Sequence, residues 1–154
     1  MKVMVGGTFS PLHDGHKKLL SRSFELAGRS GLVIIGLTTD EFAGCKFHNI
    51  EPFRERKAEV VKFIGESGFS ADWKIEELSD RFGSSIDADF DALVVSEETF
   101  RTGLEINKIR REKKKKKKVD IHQITCVLAD DGKWISSTRI CRGEIDPHGH
   151  MLNR

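Results

Sequence analysis

A chain of 154 residues, 38% of them hydrophobic, is long enough to bury a core without disulfides or a structural metal. The formal charge of +2 at pH 7 excludes a general polycation, and no apolar stretch approaches the roughly 20 residues that span a bilayer. No signal-peptide pattern opens the chain, and its three cysteines have no CxxC spacing. We therefore expect a cytoplasmic protein with reduced thiols and a single domain, residues 1–154.

The first part of the chain alternates a short apolar run with a helical period. Lys2 to Val5 predicts a strand, and Asp14 to Ala27 predicts an amphipathic helix that exits at Gly28. Leu32 to Leu37 predicts a second strand of the fully buried type. This order, strand then helix then strand, is typical of parallel strands joined by a crossover helix.

A polar loop and a further helix follow. Thr38-Thr39-Asp40 opens the loop, which carries Lys46. Pro52 suits the first turn of the helix, since that position needs no backbone N–H. The predicted core face of this helix consists of Val60, Val61, Phe63 and Ile64.

Three strands and a helix are predicted in the second half. The strands are Trp73 to Leu78, Ala92 to Val95 and Ile121 to Leu128. Ser96 to Glu112 has a helical period, with Leu104, Ile106 and Ile109 as its apolar positions. Asn107 and Arg110 on this helix could be surface residues.

The basic residues are concentrated in one segment. Residues 108–118 contain nine Lys and Arg against one Glu, and 113–118 are all lysine. Such a run can bind nucleic acid, but it lacks interleaved aromatic residues and is more typical of a solvated helix end or loop. We expect no nucleic-acid partner.

The chain ends with a turn signal and a short helix. Asp130 to Lys133 predicts the turn, and Ser136 or Ser137 can cap the helix. The segment His148-Gly149-His150 is expected to be a frayed, solvated tail. Together the elements predict an α/β fold, a Rossmann-like parallel sheet of about five strands with helices on both faces. Its ligand should lie across the carboxyl ends of the strands.

The connection after the first strand carries the strongest chemical signal. The segment from Gly6 to His16 follows the first predicted strand and leads into the helix. Its sequence, GGTFSPLHDGH, contains three glycines, hydroxyl side chains, a proline and two imidazoles. Unpaired N–H groups at a helix N-terminus suit a phosphate chain. His13 and His16 are three residues apart and can face the same side of the first turn. Two histidines without a third ligand are a weak zinc signal, so we expect no protein metal site.

Two motifs together resemble a known superfamily. Gly7-Thr8-Phe9 followed by His13-Asp14-Gly15-His16, with Ile135-Ser136-Ser137-Thr138 near the end, resembles the HxGH nucleotidyltransferases and their ISSTxIR signature. The resemblance covers nearly the whole chain. Further stretches resemble archaeal-type phosphopantetheine adenylyltransferase, namely residues 36–43, 52–57, 94–99 and 107–111.

The resemblance implies an activity and a set of site residues. Such enzymes join ATP, with Mg²⁺, and 4′-phosphopantetheine into dephospho-coenzyme A and pyrophosphate. It implies that His16 stabilises the α-phosphate in the transition state and that Thr8 and Lys46 receive the acceptor phosphate. The remaining residues implied to bind ATP are Gly7, Thr8, Phe9, His13, Glu98, Ser136, Ser137, Thr138 and Arg139.

The chain departs from the family pattern at two positions. Ser10 stands where the family often has an aspartate, and Cys141 stands where ISSTxIR has its arginine. Arg139 and Arg142 flank Cys141 and could supply the cation. Alternative acceptors are nicotinamide mononucleotide, riboflavin phosphate (FMN) and a phosphoalcohol activated with CTP. A degenerate nucleotide-binding module that has lost catalysis is the alternative outside enzymes.

Overall fold

The computed structural model describes residues 1–44 and 50–152. Within these ranges the chain forms five strands, five α-helices and one 3-10 turn at Gly83–Ile86. The strands are β1 (Lys2–Gly7), β2 (Leu32–Thr38), β3 (Asp72–Leu78), β4 (Ala92–Val95) and β5 (Asp120–Gln123). The helices are α1 (Asp14–Ala27), α2 (Asp40–Ala43), α3 (Phe53–Ser67), α4 (Phe100–Glu112) and α5 (Ser137–Cys141).

The strands form one parallel sheet in the order β3-β2-β1-β4-β5. Val3 of the central strand pairs with Val33 on one side and with Ala92 on the other. From β1 the chain continues to β2 and β3 toward one edge of the sheet, and from β4 it continues to β5 toward the other edge. The direction therefore changes between β1 and β4. In open α/β sheets, this point at the carboxyl ends is where ligands bind. The predicted fold class, a parallel five-stranded Rossmann-like sheet, is confirmed.

Each face of the sheet has its own hydrophobic cluster, because successive side chains of a strand point to opposite faces. Val3 and Val5 of β1 pack with α1 and α3, for example against Leu20 and Val60. Met4 packs in the second cluster, which contains Leu93, Ile106 of α4 and Val119. The helices therefore cover both faces.

The bounds of α1 and β4 agree with the sequence analysis, and those of the other elements differ. Thr38 ends β2 rather than opening a loop, and Asp40–Ala43 forms the short helix α2, which Thr39 caps by accepting from the Phe42 N–H. Pro52 is the residue before α3 rather than its first residue.

The predicted places of Val61 on a core face and of Leu128 in a strand are wrong, and Leu104, an apolar position of its helix, is exposed. Val61 is 36% exposed and Leu104 is 50% exposed, because each lies beside rather than on the stripe of its helix that meets the sheet. Leu128 lies outside β5, which ends at Gln123, and instead forms an antiparallel bridge with Trp134. The helical period from Ser96 also begins later, because Ser96 and Thr99 close a turn before α4.

No helix in the described ranges is long and apolar enough to cross a membrane. Of the cysteines, Cys126 and Cys141 are free thiols, and Cys45 lies outside the described residues.

Candidate active site

The connection from β1 to α1 lies at the carboxyl end of the central strand. Phe9 is 1% exposed and has a positive φ of 53°, an uncommon conformation for a residue with a side chain. Its ring meets the ring of His16 edge to face, with centroids 5.1 Å apart. A buried aromatic ring therefore holds this connection against the start of α1.

The two histidines cap the helix reciprocally. His13 is the residue before α1, and its Nδ1 accepts from the backbone N–H of Gly15 at 3.0 Å and of His16 at 3.3 Å. In return the Nδ1 of His16 accepts from the backbone N–H of His13 at 3.4 Å. This is a capping box in which imidazoles replace the usual Ser and Glu. The sequence shows that the two histidines are three residues apart, but sequence reasoning missed that they cap the helix.

The imidazole rings of His13 and His16 stack, with centroids 3.7 Å apart and planes within 16°. Gly15 makes this possible. A Cβ at Gly15 would lie 2.8 Å from Cε1 and 3.0 Å from Nδ1 of His13, closer than real contacts allow. The glycine of the motif is therefore needed for the close approach of an imidazole.

Burial keeps His13 neutral. The side chain is 6% exposed, and burial lowers the pKa of His13 to about 4, although the nearby carboxylate of Asp14 acts to raise it. Because Nδ1 accepts two N–H groups, the neutral ring carries its proton on Nε2. That Nε2–H donates to no group in residues 1–44 and 50–152. A buried donor without a protein partner is the kind of group that a ligand satisfies.

A buried arginine ties the ends of β1 and β2 together. Arg56 of α3 is 0% exposed. Its Nη1 donates to the carbonyl of Thr8 and to the hydroxyl of Thr38, both at 3.2 Å. Its Nη2 donates to Asp40 at 2.9 Å and its Nε to the carbonyl of Glu51 at 2.7 Å. Sequence reasoning missed Arg56, because an arginine between polar helix residues carries no signal of burial.

Thr8 and Thr38 line a cavity of about 240 Å³ on the face of the sheet covered by α4. Gly6 and Gly36, paired across β1 and β2, leave the sheet without side chains there. The rest of the lining mixes apolar and polar residues. It includes Met4, Phe42, Glu76, Leu78, Arg81, Phe82, Ser84, Leu93 and Ile106.

The second motif forms α5. Ser136 caps it by accepting from the Arg139 N–H at 3.2 Å, as the sequence predicts. The guanidinium of Arg139, however, donates to Asp131 at 2.6 Å, to Glu144 at 3.0 Å and to the carbonyl of Trp134 at 2.9 Å.

The two arginines near Cys141 therefore differ in whether their side chains are already paired within the protein. Arg139 is held by two carboxylates, whereas Arg142 is exposed and its side chain has no hydrogen bond or ion pair with any described residue. The ATP-binding role predicted for Arg139 stays a prediction.

The segment after α5 packs against the start of α1. Ile145 is 0% exposed, the backbone N–H of Asp14 donates to the carbonyl of Pro147 at 3.0 Å, and Nδ1 of His148 lies 2.9 Å from the carboxylate of Asp14. The expectation of a frayed tail is wrong, because this segment bonds a backbone donor that helix α1 cannot satisfy by itself.

The remaining predicted site residues are distributed as follows. Glu98 is exposed in the turn between β4 and α4, at the same edge of the sheet as the histidines. Lys46 lies outside the described residues.

Arg110 is not a surface residue, and Asn107 is half-buried. Asn107 donates to the carbonyl of Val119 and accepts from its N–H, each at 2.9 Å. Arg110 is 2% exposed. Both side chains satisfy backbone groups of the segment that follows α4.

Comparisons with known proteins agree with this geometry. Residues 4–143 match the cytidylyltransferase-like family model. A phosphopantetheine adenylyltransferase of Methanosarcina mazei is 46% identical over 97% of this chain and 96% of its own length. One of Archaeoglobus fulgidus is 42% identical over 99% of this chain and all of its own.

Solved structures agree as well. A crystal structure of a protein with unknown function from Archaeoglobus fulgidus superposes with a TM-score of 0.72 at 38% identity, covering 80% of this chain and 89% of that one. The stacked histidine pair at the carboxyl end of β1 and these matches lead to one assignment: the chain belongs to the phosphopantetheine adenylyltransferases of the cytidylyltransferase-like family.

Proposed function

We propose that the chain transfers the adenylyl group of ATP to 4′-phosphopantetheine in the cytoplasm, releasing pyrophosphate and forming dephospho-coenzyme A. The relatives described above carry the name of this activity. One observation of the site supports it most directly. His13 presents a buried Nε2–H without a partner in the described residues, beside a second imidazole and at the N-terminus of a 14-residue helix.

The proposed reaction is a direct displacement. An oxygen of the acceptor phosphate attacks the α-phosphorus of ATP, a new P–O bond forms, and the bond from the α-phosphorus to the bridging oxygen breaks. The electron pair of that bond leaves with pyrophosphate. Such a transfer depends on positioning and on stabilising spread negative charge.

The histidines are proposed to act on the nucleotide phosphates. His13, neutral because of burial, contributes a hydrogen-bond donor rather than a charge. His16, stacked on it, is proposed to stabilise the charge that grows on the α-phosphate. Ser136, Ser137 and Thr138 are proposed to hold the β- and γ-phosphates, and Gly7, Phe9, Glu98 and Arg139 to complete the ATP site.

The acceptor is proposed to lie on the other side of Thr8. Thr8 lines the cavity over Gly6 and Gly36, so a phosphate held by Thr8 and Lys46 would have its organic arm in that cavity. The mixed apolar and polar lining suits a chain that carries amides between methylenes.

Mg²⁺ is proposed to enter as part of the Mg-ATP substrate. This ion takes oxygen ligands and commonly keeps several waters. The described residues contain no group of three His, Cys, Asp or Glu side chains placed to hold a metal. The phosphate oxygens and water are therefore the ligands we propose.

The test is pyrophosphate release from ATP with a panel of acceptors: 4′-phosphopantetheine, nicotinamide mononucleotide and FMN, with CTP plus a phosphoalcohol as a separate arm. We expect turnover with 4′-phosphopantetheine and at least about a hundredfold less with the others. Turnover with another pair would replace the substrates, and turnover with none would favour a nucleotide-binding module.

His16→Ala tests the catalytic assignment. We expect a folded protein that loses at least about a hundredfold in kcat, because the ring stabilises charge that exists mainly in the transition state. Circular dichroism and thermal melting provide the control for folding. Near-normal kcat in the folded variant would contradict the role of His16.

A further inference from the structure

The hydroxyl of Thr8 has one hydrogen-bond partner and an unused proton. Thr8 is 8% exposed and lines the cavity. Its Oγ1 accepts from Oγ1 of Thr38 at 3.0 Å. In the described part of the chain, no group accepts the proton of the Thr8 hydroxyl.

Arg56 explains why the bond between the two threonines runs in this direction. A guanidinium only donates, so the hydroxyl of Thr38 must accept from Nη1 of Arg56. The positive charge beside this oxygen turns the one proton of the Thr38 hydroxyl away from the guanidinium and toward Thr8, to which Thr38 donates at 3.0 Å. Thr8 accepts, and its own proton is left for a third partner. The two hydrogen bonds therefore run in one direction: Arg56 donates to Thr38, and Thr38 donates to Thr8. We call these three side chains the hydrogen-bond relay.

The position of Arg56 is fixed. Its side chain is fully buried and donates to four different residues, of which Asp40 is the one carboxylate among the described partners. Asp40 itself is half exposed and also accepts from the Phe53 N–H at 2.8 Å. A permanent positive charge is therefore held behind the two hydroxyls, where it strengthens each hydrogen bond toward an anion.

We propose that Arg56 and Thr38 are positioning residues that direct the proton of the Thr8 hydroxyl at the phosphate of the acceptor substrate. They act on the affinity for the acceptor rather than on that for ATP. This inference rests on the proposed function, in which Thr8 receives that phosphate.

The central experiment compares Thr38→Val with Thr38→Ser. Valine keeps the shape of threonine but removes the hydroxyl, whereas serine keeps the hydroxyl. We expect Thr38→Val to raise KM for 4′-phosphopantetheine about fivefold, the effect of a lost hydrogen bond between two neutral groups, with KM for ATP changed less than about twofold. Thr38→Ser should restore most of the acceptor affinity. Equal losses for both substrates, or a serine variant as weak as valine, would overturn the proposal.

Two further variants separate this proposal from the function on which it rests. Thr8→Val should raise the acceptor KM at least as much as Thr38→Val. The double variant should have the same acceptor KM as Thr8→Val alone, because both changes interrupt the same hydrogen-bond relay. An unaffected acceptor KM in Thr8→Val would contradict the proposed role of Thr8. A raised acceptor KM in Thr8→Val but not in Thr38→Val would overturn the role of the hydrogen-bond relay and leave the proposed role of Thr8 intact.

Ser23→Ala provides the control for the loss of a buried hydroxyl. Ser23 is 0% exposed and donates to the carbonyl of Leu19 within α1. We expect it to leave the ratio of the two KM values unchanged. A shift of that ratio as large as in Thr38→Val would show that any buried hydroxyl has this effect and would overturn the proposal.

Discussion

His13 combines an observed function and a proposed one in one ring. Its Nδ1 closes the first turn of α1, and its Nε2–H is proposed to donate to a ligand. Both functions require the neutral imidazole, because protonation of Nδ1 would replace an acceptor with a donor facing two N–H groups. The stability of the helix start and the state of the site therefore depend on one proton.

The first prediction concerns pH. The pKa of His13 is about 4 in the folded chain, against about 6.5 in an unfolded one. Between these values the unfolded state binds the extra proton, so stability is complete above about pH 6.5 and is lost as pH falls toward 4. We expect His13 to account for a loss of about 2 kcal/mol in unfolding free energy between pH 7 and pH 5.

His13→Asn provides the comparison for this measurement. Asparagine caps helices well and does not titrate, so denaturant unfolding of the variant should lack this part of the pH dependence. The same slope in both proteins would show that another group is responsible.

The second prediction concerns Gly15. Gly15→Ala places a Cβ 2.8 Å from the ring of His13 and should displace it, lowering kcat/KM about tenfold or more. The free energy of unfolding should change by less than about 1 kcal/mol, because the higher helix propensity of alanine offsets the weakened cap. Gly65→Ala in α3 is the matched control, since a Cβ there meets nothing within 4 Å. Equal effects of both on activity would contradict the steric explanation.

At the scale of elements, arginines rather than apolar contacts join several irregular segments to the sheet. Arg110 of α4 donates to the carbonyls of Ser85, Ala88 and Lys117 at 2.7–2.9 Å. It thereby attaches both the 3-10 turn before β4 and the lysine segment before β5 to one helix. Its guanidinium also lies over the ring of Phe90, 5.0 Å from the centroid. Arg56 has the corresponding role at the opposite end of the strands.

The third prediction uses neighbouring arginines. Arg110→Met should lower the free energy of unfolding by about 2–5 kcal/mol, because it leaves three carbonyls without their donor. Arg111→Met, at the adjacent exposed position, should change it by less than about 0.5 kcal/mol. Denaturant unfolding of the pair measures the difference. Similar values for the two variants would show that the buried hydrogen bonds contribute little.

At the scale of the whole molecule, the lysine run and the candidate site lie at opposite ends of the strands. The run precedes β5, whereas the histidines follow β1, and the two strands are parallel members of one sheet. A strand of six residues separates its ends by roughly 20 Å. This exceeds the Debye length of about 8 Å at physiological salt, so the lysines should have little effect on the affinity for ATP.

The fourth prediction follows from that distance. Replacing Lys113, Lys114, Lys117 and Lys118 with glutamine should change KM for ATP less than about twofold at 0.15 M salt. Lys116 is retained because it pairs with Asp89 at 3.2 Å. Steady-state kinetics at low and physiological salt test this. A several-fold rise in KM at physiological salt would place the run within reach of the nucleotide.

The sequence by itself determined the layers of the fold and the place of the candidate site. Alternation of apolar runs with helical periods requires parallel strands and crossover helices, and α1 and β4 have the predicted bounds. The motif from Gly6 to His16 is local, so its placement at the end of β1 follows from the order of residues.

The tertiary structure alone decided which polar groups are buried and with which partners. Arg56, Arg110 and His148 carry no local signal of the partners they bind, and these partners lie between 5 and 134 residues away. Whether an arginine side chain meets water or a set of backbone carbonyls depends on how distant segments meet, which no local pattern records. The chemistry of Thr8 likewise depends on a guanidinium 48 residues along the chain, because the direction of a hydrogen bond is set by all the donors packed around it.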